Sequence, residues 1–244
     1  MSERYLLVKH SEGWNVDRCR EWMDKNNKAF DWFYPTNGEP FPDPGQYTGV
    51  IVFGGAPSAN DDTEHPWVIP ELDFIQQCLD LEVGFFGICL GAQMLARTLG
   101  ATISAHPEGA TEIGQCQIEP TEAGKTFLPE PMTVMQWHSE GFELPKGAVN
   151  LARSEVFEHQ AFQINEQVYG VQFHPEVNPD SLAIWQERNR GKSPDQFTDR
   201  ERAAMMAETR ANDETVTAWL DCFLSRWTAN LNALRDESAA RHNG

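Results

Sequence analysis

Three short stretches of this 244-residue chain carry side chains that could do chemistry together. Val83-Gly84-Phe85-Phe86-Gly87-Ile88 is an apolar run without charge, which reads as a fully buried strand, and it stops at Cys89. From Gly91 to Leu99 the composition is helical, with Met94, Leu95 and Leu99 spaced to share one face. A strand, one polar nucleophile and an immediate helix make a nucleophile elbow, and the flanking glycines allow its tight turn. Cys89 would then sit at a helix N-terminus, where the dipole and free N–H groups favour a thiolate. Taken alone it is as readily a small packing residue. A second strand, Val168 to Phe173, runs into His174-Pro175-Glu176. At strand spacing His174 and Glu176 point the same way, so the carboxylate could orient the imidazole while the imidazole activates a thiol. Val50 to Phe53 is a third strand, ending in Gly54-Gly55, a pair suited to presenting a backbone N–H to an oxyanion.

In order and spacing, Gly54-Gly55, Gly87-Ile88-Cys89-Leu90-Gly91-Ala92-Gln93 and Phe173-His174-Pro175-Glu176 resemble the class I, triad-type glutamine amidotransferases. The layout is similar to that of the glutaminase portion of GMP synthase and spans roughly the first 180 residues. Position by position, the resemblance implies Cys89 as nucleophile, His174 as general base and acid, and Glu176 as the residue that orients it. It implies Gly55 and Leu90 as the oxyanion N–H donors and Gln93 as a residue that helps hold the glutamine substrate. A His-containing stretch faces the glutamine pocket at the corresponding point of the family, which makes His138 and Ser139 candidate substrate contacts. Ala56-Pro57 departs from the pattern, since many relatives have proline directly after the second glycine.

Around these stretches the chain reads as alternating strand and helix. Tyr5 to Lys9 is a short strand, Val16 to about Asn26 a helix and Ala29 to Tyr34 a second strand. Pro35 to Gly45 holds four prolines and two glycines and is a loop. That rhythm belongs to an α/β fold with a doubly wound, mostly parallel central sheet and helices on both faces. His10, Glu12 and Trp14 follow the first strand, at the carboxyl edge where such sheets bind ligands, and read as solvated loop residues. The polar run Ala59 to Trp67 holds Asp61, Asp62, Glu64 and His65; a short loop seldom converges on a metal alone, so no metal is expected and the run reads as a loop covering the site. Leu72, Ile75 and Leu79 share a helical face.

Past the elbow helix, Gly100 to Ala105 reads as a strand at the far side of the sheet. Strands at 115–119, 132–137, 149–153 and 161–164 imply a flanking mixed or antiparallel sheet. Asn178-Pro179-Asp180-Ser181 is a helix start, and Thr198 with Glu201 is a capping-box pattern. Val216, Leu220, Phe223, Leu224, Trp227, Leu231 and Leu234 form a helical stripe, read as core with a partner-docking or dimer surface as the alternative. From Asp236 onward a frayed polar tail is expected. Residues 1–187 are thus expected to form the amidotransferase-like domain, and 188–244 a helical extension packed on it.

Composition narrows the partners. A net charge of −18 repels phosphates and argues against nucleic acid, and no apolar stretch approaches the roughly 20 residues of a membrane span. Five cysteines without close pairing, and an N-terminus that runs straight into a strand, fit a cytoplasmic protein. Cys19, Cys78, Cys116 and Cys222 read as packing or incidental residues. The resemblance implies hydrolysis of the side-chain amide of L-glutamine through a cysteine thioester, without a cofactor. It also implies ammonia passed to a synthetase, and no phosphate-binding glycine loop follows Glu176, so that acceptor is expected on another chain. Two alternatives stand beside this: a peptidase acting on γ-glutamyl conjugates, and a catalytically silent regulatory module.

Overall fold

The computed structural model describes residues 3–13, 15–190 and 197–242, which leaves Trp14 outside the described residues. In chain order the elements are β1 (Tyr5–Val8), α1 (Arg18–Lys25), β2 (Phe30–Phe33), β3 (Gly49–Val52), α2 (Val68–Asp80), β4 (Gly84–Ile88) and α3 (Leu90–Thr98). They continue with β5 (Ile103–Ala105), β6 (Glu112–Pro120), β7 (Met132–His138), β8 (Glu140–Phe142), β9 (Val149–Arg153), β10 (Ala161–Asn165), β11 (Val168–Val171), α4 (Pro179–Asn189) and α5 (Asp199–His242). Two single turns of 3₁₀ helix, Pro35–Asn37 and Pro44–Gln46, bound the proline-rich loop.

Nine strands form one mixed sheet in the order β2-β1-β3-β4-β11-β10-β9-β6-β7. The first five are parallel, and apart from the half-buried edge strand β2 their apolar, two-sided burial is what a sheet covered on both faces requires. Beyond β11 the ladder turns antiparallel, so the flanking strands continue the central sheet edge to edge. The strand expected at 100–105 joins no part of it. β5 pairs only with β8 in a separate two-stranded antiparallel sheet, because the turn after α3 carries the chain off the main ladder.

Alternation along each parallel strand divides the core. Tyr5, Leu7, Ile51, Phe86 and Ile88 face α1 and α5, while Leu6, Val8, Val50, Val52 and Phe85 face α2 and α3. The stripe on α5 is core: Val216, Leu220, Phe223, Leu224, Trp227 and Leu231 are buried, and the Trp227 indole donates to the Gln167 carbonyl at 2.8 Å. The helix runs on through His242, so the tail expected from Asp236 is helical. On α2 the buried face is Val68, Glu71, Phe74, Ile75 and Cys78; Leu72 and Leu79 lie at its margin. No helix among the described residues is long and apolar enough to cross a membrane.

Candidate active site

The parallel strands deliver their carboxyl ends to one edge, and a cavity of about 580 Å³ opens there. Cys89, His174, Glu176, Gly55, Gln93, His138 and Ser139 all line it. These residues lie far apart in the chain and converge because β3, β4 and β11 are neighbours in the sheet.

Cys89 stands between β4 and α3 with φ +51° and ψ −107°, a conformation that costs a non-glycine residue about 1–3 kcal/mol. Its N–H is held by the Val171 carbonyl at 2.8 Å, which ties the elbow to the strand that delivers His174. Gly91 is required here, since a Cβ would lie 2.2 Å from the Val52 carbonyl oxygen. The thiol thus stands at the first turn of α3.

His174 and Glu176 do not sit on the strand. β11 ends at Val171, and the pair occupies the turn beyond it, so local turn geometry, and not strand alternation, brings His174 Nδ1 to 2.8 Å from Glu176 Oε1. Both side chains are buried. Burial alone would disfavour a charged imidazole, but the Glu176 carboxylate and the charge on Cys89 outweigh it and raise the His174 pKa to about 10. With Nδ1 taken by Glu176, the other ring nitrogen, Nε2, is buried and makes no hydrogen bond to an oxygen or nitrogen among the described residues, and Cys89 is the group whose charge and hydrogen bond act on the ring. Gly54 packs against both His174 and Cys89: a Cβ there would lie 2.6 Å from His174 Cε1 and 3.4 Å from Cys89 Cβ.

The remaining expected residues divide by what they are bonded to. Gly55 lies beside Leu90, whose Cδ2 would be 2.7 Å from a Cβ on that glycine. Leu90 opens α3, where first-turn N–H groups lack intrahelical acceptors. Gln93 donates to the Glu140 carbonyl at 3.0 Å and to Gln172 Oε1 at 3.1 Å. His138 is braced at both ring nitrogens, by the Glu140 carbonyl at 3.0 Å and by Glu112 Oε2 at 3.2 Å, while Ser139 is exposed at the rim. The run expected to cover the site contributes to the lining only through the residues before it, Ala56, Pro57 and Ser58. Its acids serve the loop itself: Asp61 accepts from the Ser58 N–H, and Asp62 pairs with Arg97.

Some residues at the site had no motif behind them. Gln172 points its amide at Cys89 Sγ from 3.6 Å. Arg18 reaches the carbonyls of Pro175 and Val177 from α1. His10, read as solvated, is buried and bonded to Glu71. The signal for Glu71 was present: an acid on the buried side of an otherwise apolar helix face.

Residues 23–183 match the family model described as glutamine amidotransferase class-I. The chain belongs to this family. It is 31% identical over 188 residues to the glutamine amidotransferase-like protein YfeJ of Salmonella typhimurium, covering 73% of this chain and 78% of that one. Gamma-glutamyl peptidase 4 of Arabidopsis thaliana is 30% identical over 170 residues, covering 66% of each. A GMP synthase of Streptococcus mutans is 30% identical over 134 residues, covering 53% of this chain but only 25% of the synthase. The crystal structure of a glutamine amidotransferase from Thermotoga maritima superposes with a TM-score of 0.85 at 28% identity, covering 93% of this chain and 98% of the other. These relatives include a γ-glutamyl peptidase and a glutamine-hydrolysing synthase, and the site has to distinguish the two.

Proposed function

We propose that this chain hydrolyses γ-glutamyl amide bonds through a thioester on Cys89. The observation that carries the reading is the buried His174 imidazole, held at Nδ1 by Glu176 and interacting with Cys89 through charge and hydrogen bond. Cys89 Sγ attacks the side-chain carbonyl, and the oxyanion that forms is bound by the Gly55 and Leu90 N–H groups. As the tetrahedral intermediate collapses, the C–N bond breaks and His174 Nε2 gives its proton to the departing amine. Water then loses a proton to His174 and attacks the thioester, releasing glutamate and the thiol. Each oxyanion donor contributes on the order of 3 kcal/mol to such a step. An intact Cys89, His174 and Glu176 stands against a silent module.

L-glutamine is the smallest substrate of this kind, with ammonia passed to a synthetase on another chain. Two observations favour a larger γ-glutamyl conjugate that needs no acceptor. The cavity falls within the ~300–1,000 Å³ that encloses drug-sized ligands, more than one amino acid fills. Trp185 stands edge-on to the His174 ring at 5.0 Å, and Trp137 packs on Trp185 at 6.1 Å, so the leaving amine would depart beside an aromatic wall. The α5 stripe, the surface weighed for docking a synthetase, is buried in the core.

The deciding experiment is glutamate release from L-glutamine and from a panel of γ-glutamyl dipeptides and arylamides, compared by kcat/KM. We expect turnover of the panel to exceed that of glutamine at least tenfold. A preference for glutamine would restore the ammonia-donor reading, and no release from any member would remove both.

A further inference from the structure

Behind the Gly54-Gly55 loop lies a buried ion pair that the proposed chemistry does not use. His10 Nε2 is 3.1 Å from Glu71 Oε1 and 3.0 Å from Glu71 Oε2, and His10 Nδ1 is 3.3 Å from the Gly54 carbonyl oxygen. Neither side chain is accessible beyond 2%. Trp67 covers the imidazole at 4.8 Å between ring centres. A carboxylate and a carbonyl can only accept, so both ring nitrogens donate and the ring is an imidazolium. Burial opposes that charge, and the Glu71 charge and hydrogen bond with the Gly54 bond overcome it, raising the His10 pKa.

The acceptor is the informative partner. The Gly54 carbonyl and the Gly55 N–H belong to one peptide unit, and in a trans peptide the two point in opposite directions. Fixing the oxygen against His10 therefore fixes the N–H on the far side. A cation at the oxygen also polarises the unit and strengthens its N–H as a donor. Gly55 has no side chain to lock its own plane, and His10 Cβ and Cγ approach to 3.2 Å of where a Cβ would be. Glu71 faces inward from the first turn of α2, where the helix dipole favours its charge.

We propose that His10 and Glu71 are a positioning pair for the oxyanion site: Glu71 holds the imidazolium, the imidazolium holds the Gly54 carbonyl, and the Gly55 N–H is thereby directed at the reacting carbonyl. The pair acts after substrate has bound, on the tetrahedral state, and this role rests on the γ-glutamyl amide hydrolysis proposed above.

The test compares wild type with four variants: His10→Leu, the charge-free double His10→Leu with Glu71→Met, the milder Glu71→Gln, and His10→Asn, whose amide nitrogen can take the place of Nδ1. Readouts are kcat and KM on the best γ-glutamyl substrate, the Ki of the glutamate γ-aldehyde, the rate of Cys89 alkylation by iodoacetamide, and the melting temperature. For the double variant, which leaves no buried charge unpaired, we expect kcat to fall on the order of 100-fold, the loss of one oxyanion donor. The aldehyde should weaken in parallel, with KM within threefold and alkylation unchanged. His10→Asn should recover most of kcat, and Glu71→Gln should fall between. Wild-type kcat in a folded double variant overturns the proposal, as does a loss carried by KM or shared by alkylation, or His10→Asn no better than His10→Leu. Should the double variant fail to fold, Glu71→Gln and His10→Asn decide on the same readouts. A wild type that neither turns over the panel nor binds the aldehyde removes the hydrolysis reading, and this role with it.

Discussion

Arg18 Nη1 donates to the Pro175 carbonyl at 3.0 Å, joining α1 to the turn between His174 and Glu176 across 157 positions of sequence. The same nitrogen reaches the Val177 carbonyl, and the Arg18 backbone N–H donates to the Glu176 carbonyl at 2.9 Å. The rest of the guanidinium is held by Asp213 and Thr217 of α5. One buried side chain thus fixes the carbonyls on both sides of Glu176. For Arg18→Met we expect a loss of about 2–3 kcal/mol, from charged hydrogen bonds to buried carbonyls. The turn that carries His174 and Glu176 should loosen as well, with kcat falling about tenfold. Arg18→Lys should not restore it, because an ammonium lacks the planar fork that spans two carbonyls. Thermal unfolding and kcat at saturating substrate check both statements.

Cys89 holds a positive φ that only glycine adopts without strain. Both Cys89→Ala and Cys89→Gly should abolish hydrolysis, yet their stabilities should differ. Alanine keeps the strain while glycine relieves it, so we expect Cys89→Gly to be more stable than Cys89→Ala by about 1 kcal/mol. Chemical denaturation of the two inactive proteins measures the difference. The reverse order would mean that the elbow is not strained at this residue.

His174 supplies a pH signature. Its folded pKa, about 10, lies above the ordinary value of about 6.5, so the stabilisation from its pairing with Glu176 and Cys89 is fully present below about pH 6.5. That contribution is lost as pH rises through 10. The proton given to the leaving amine goes the same way, so kcat/KM should hold through neutral pH and fall above about 10. Glu176→Gln should move that fall to lower pH and cost less activity than His174→Ala, since Glu176 orients and stabilises the ring without exchanging protons with substrate. A pH–rate profile of the three proteins tests the order.

How much of this was legible depended on distance along the chain. The elbow and the His174-Pro175-Glu176 segment are contiguous, so residue types alone marked them, although strand spacing gave no sign of the turn that brings His174 to Glu176. His10 and Glu71 meet across 61 positions, and only the stacking of β1 against β3 with α2 above them brings the two together. On α2, Leu72, Ile75 and Leu79 do share the face that packs on the core, but the most deeply buried residues are Val68, Glu71, Phe74, Ile75 and Cys78, and the two leucines lie half-buried at its edge. The three-residue β5 carried no sign of its partner, since β8 is equally short and lies on a different excursion of the chain.

Trp227 tests the core reading of α5. Its ring meets Tyr5 at 6.1 Å and Phe86 at 6.3 Å between centres. Truncating a tryptophan in such a setting costs about 3–5 kcal/mol, so Trp227→Ala should lower the melting temperature by about ten degrees. Leu231→Ser should act in the same direction. Unchanged melting in both would place this helix face at the surface.

The pairing of Tyr5 with Trp227 also orders events during synthesis. β1 is made well before the tryptophan that covers it, so the part of the sheet face that α5 covers, beside α1, stays open while β2 to α4 are made. Arg18 waits as well, for Asp213 and Thr217. A nascent chain without α5 already holds Cys89 and His174 but lacks the partners of Arg18 that brace the turn between His174 and Glu176, so on the proposed chemistry the site is set only once α5 has packed.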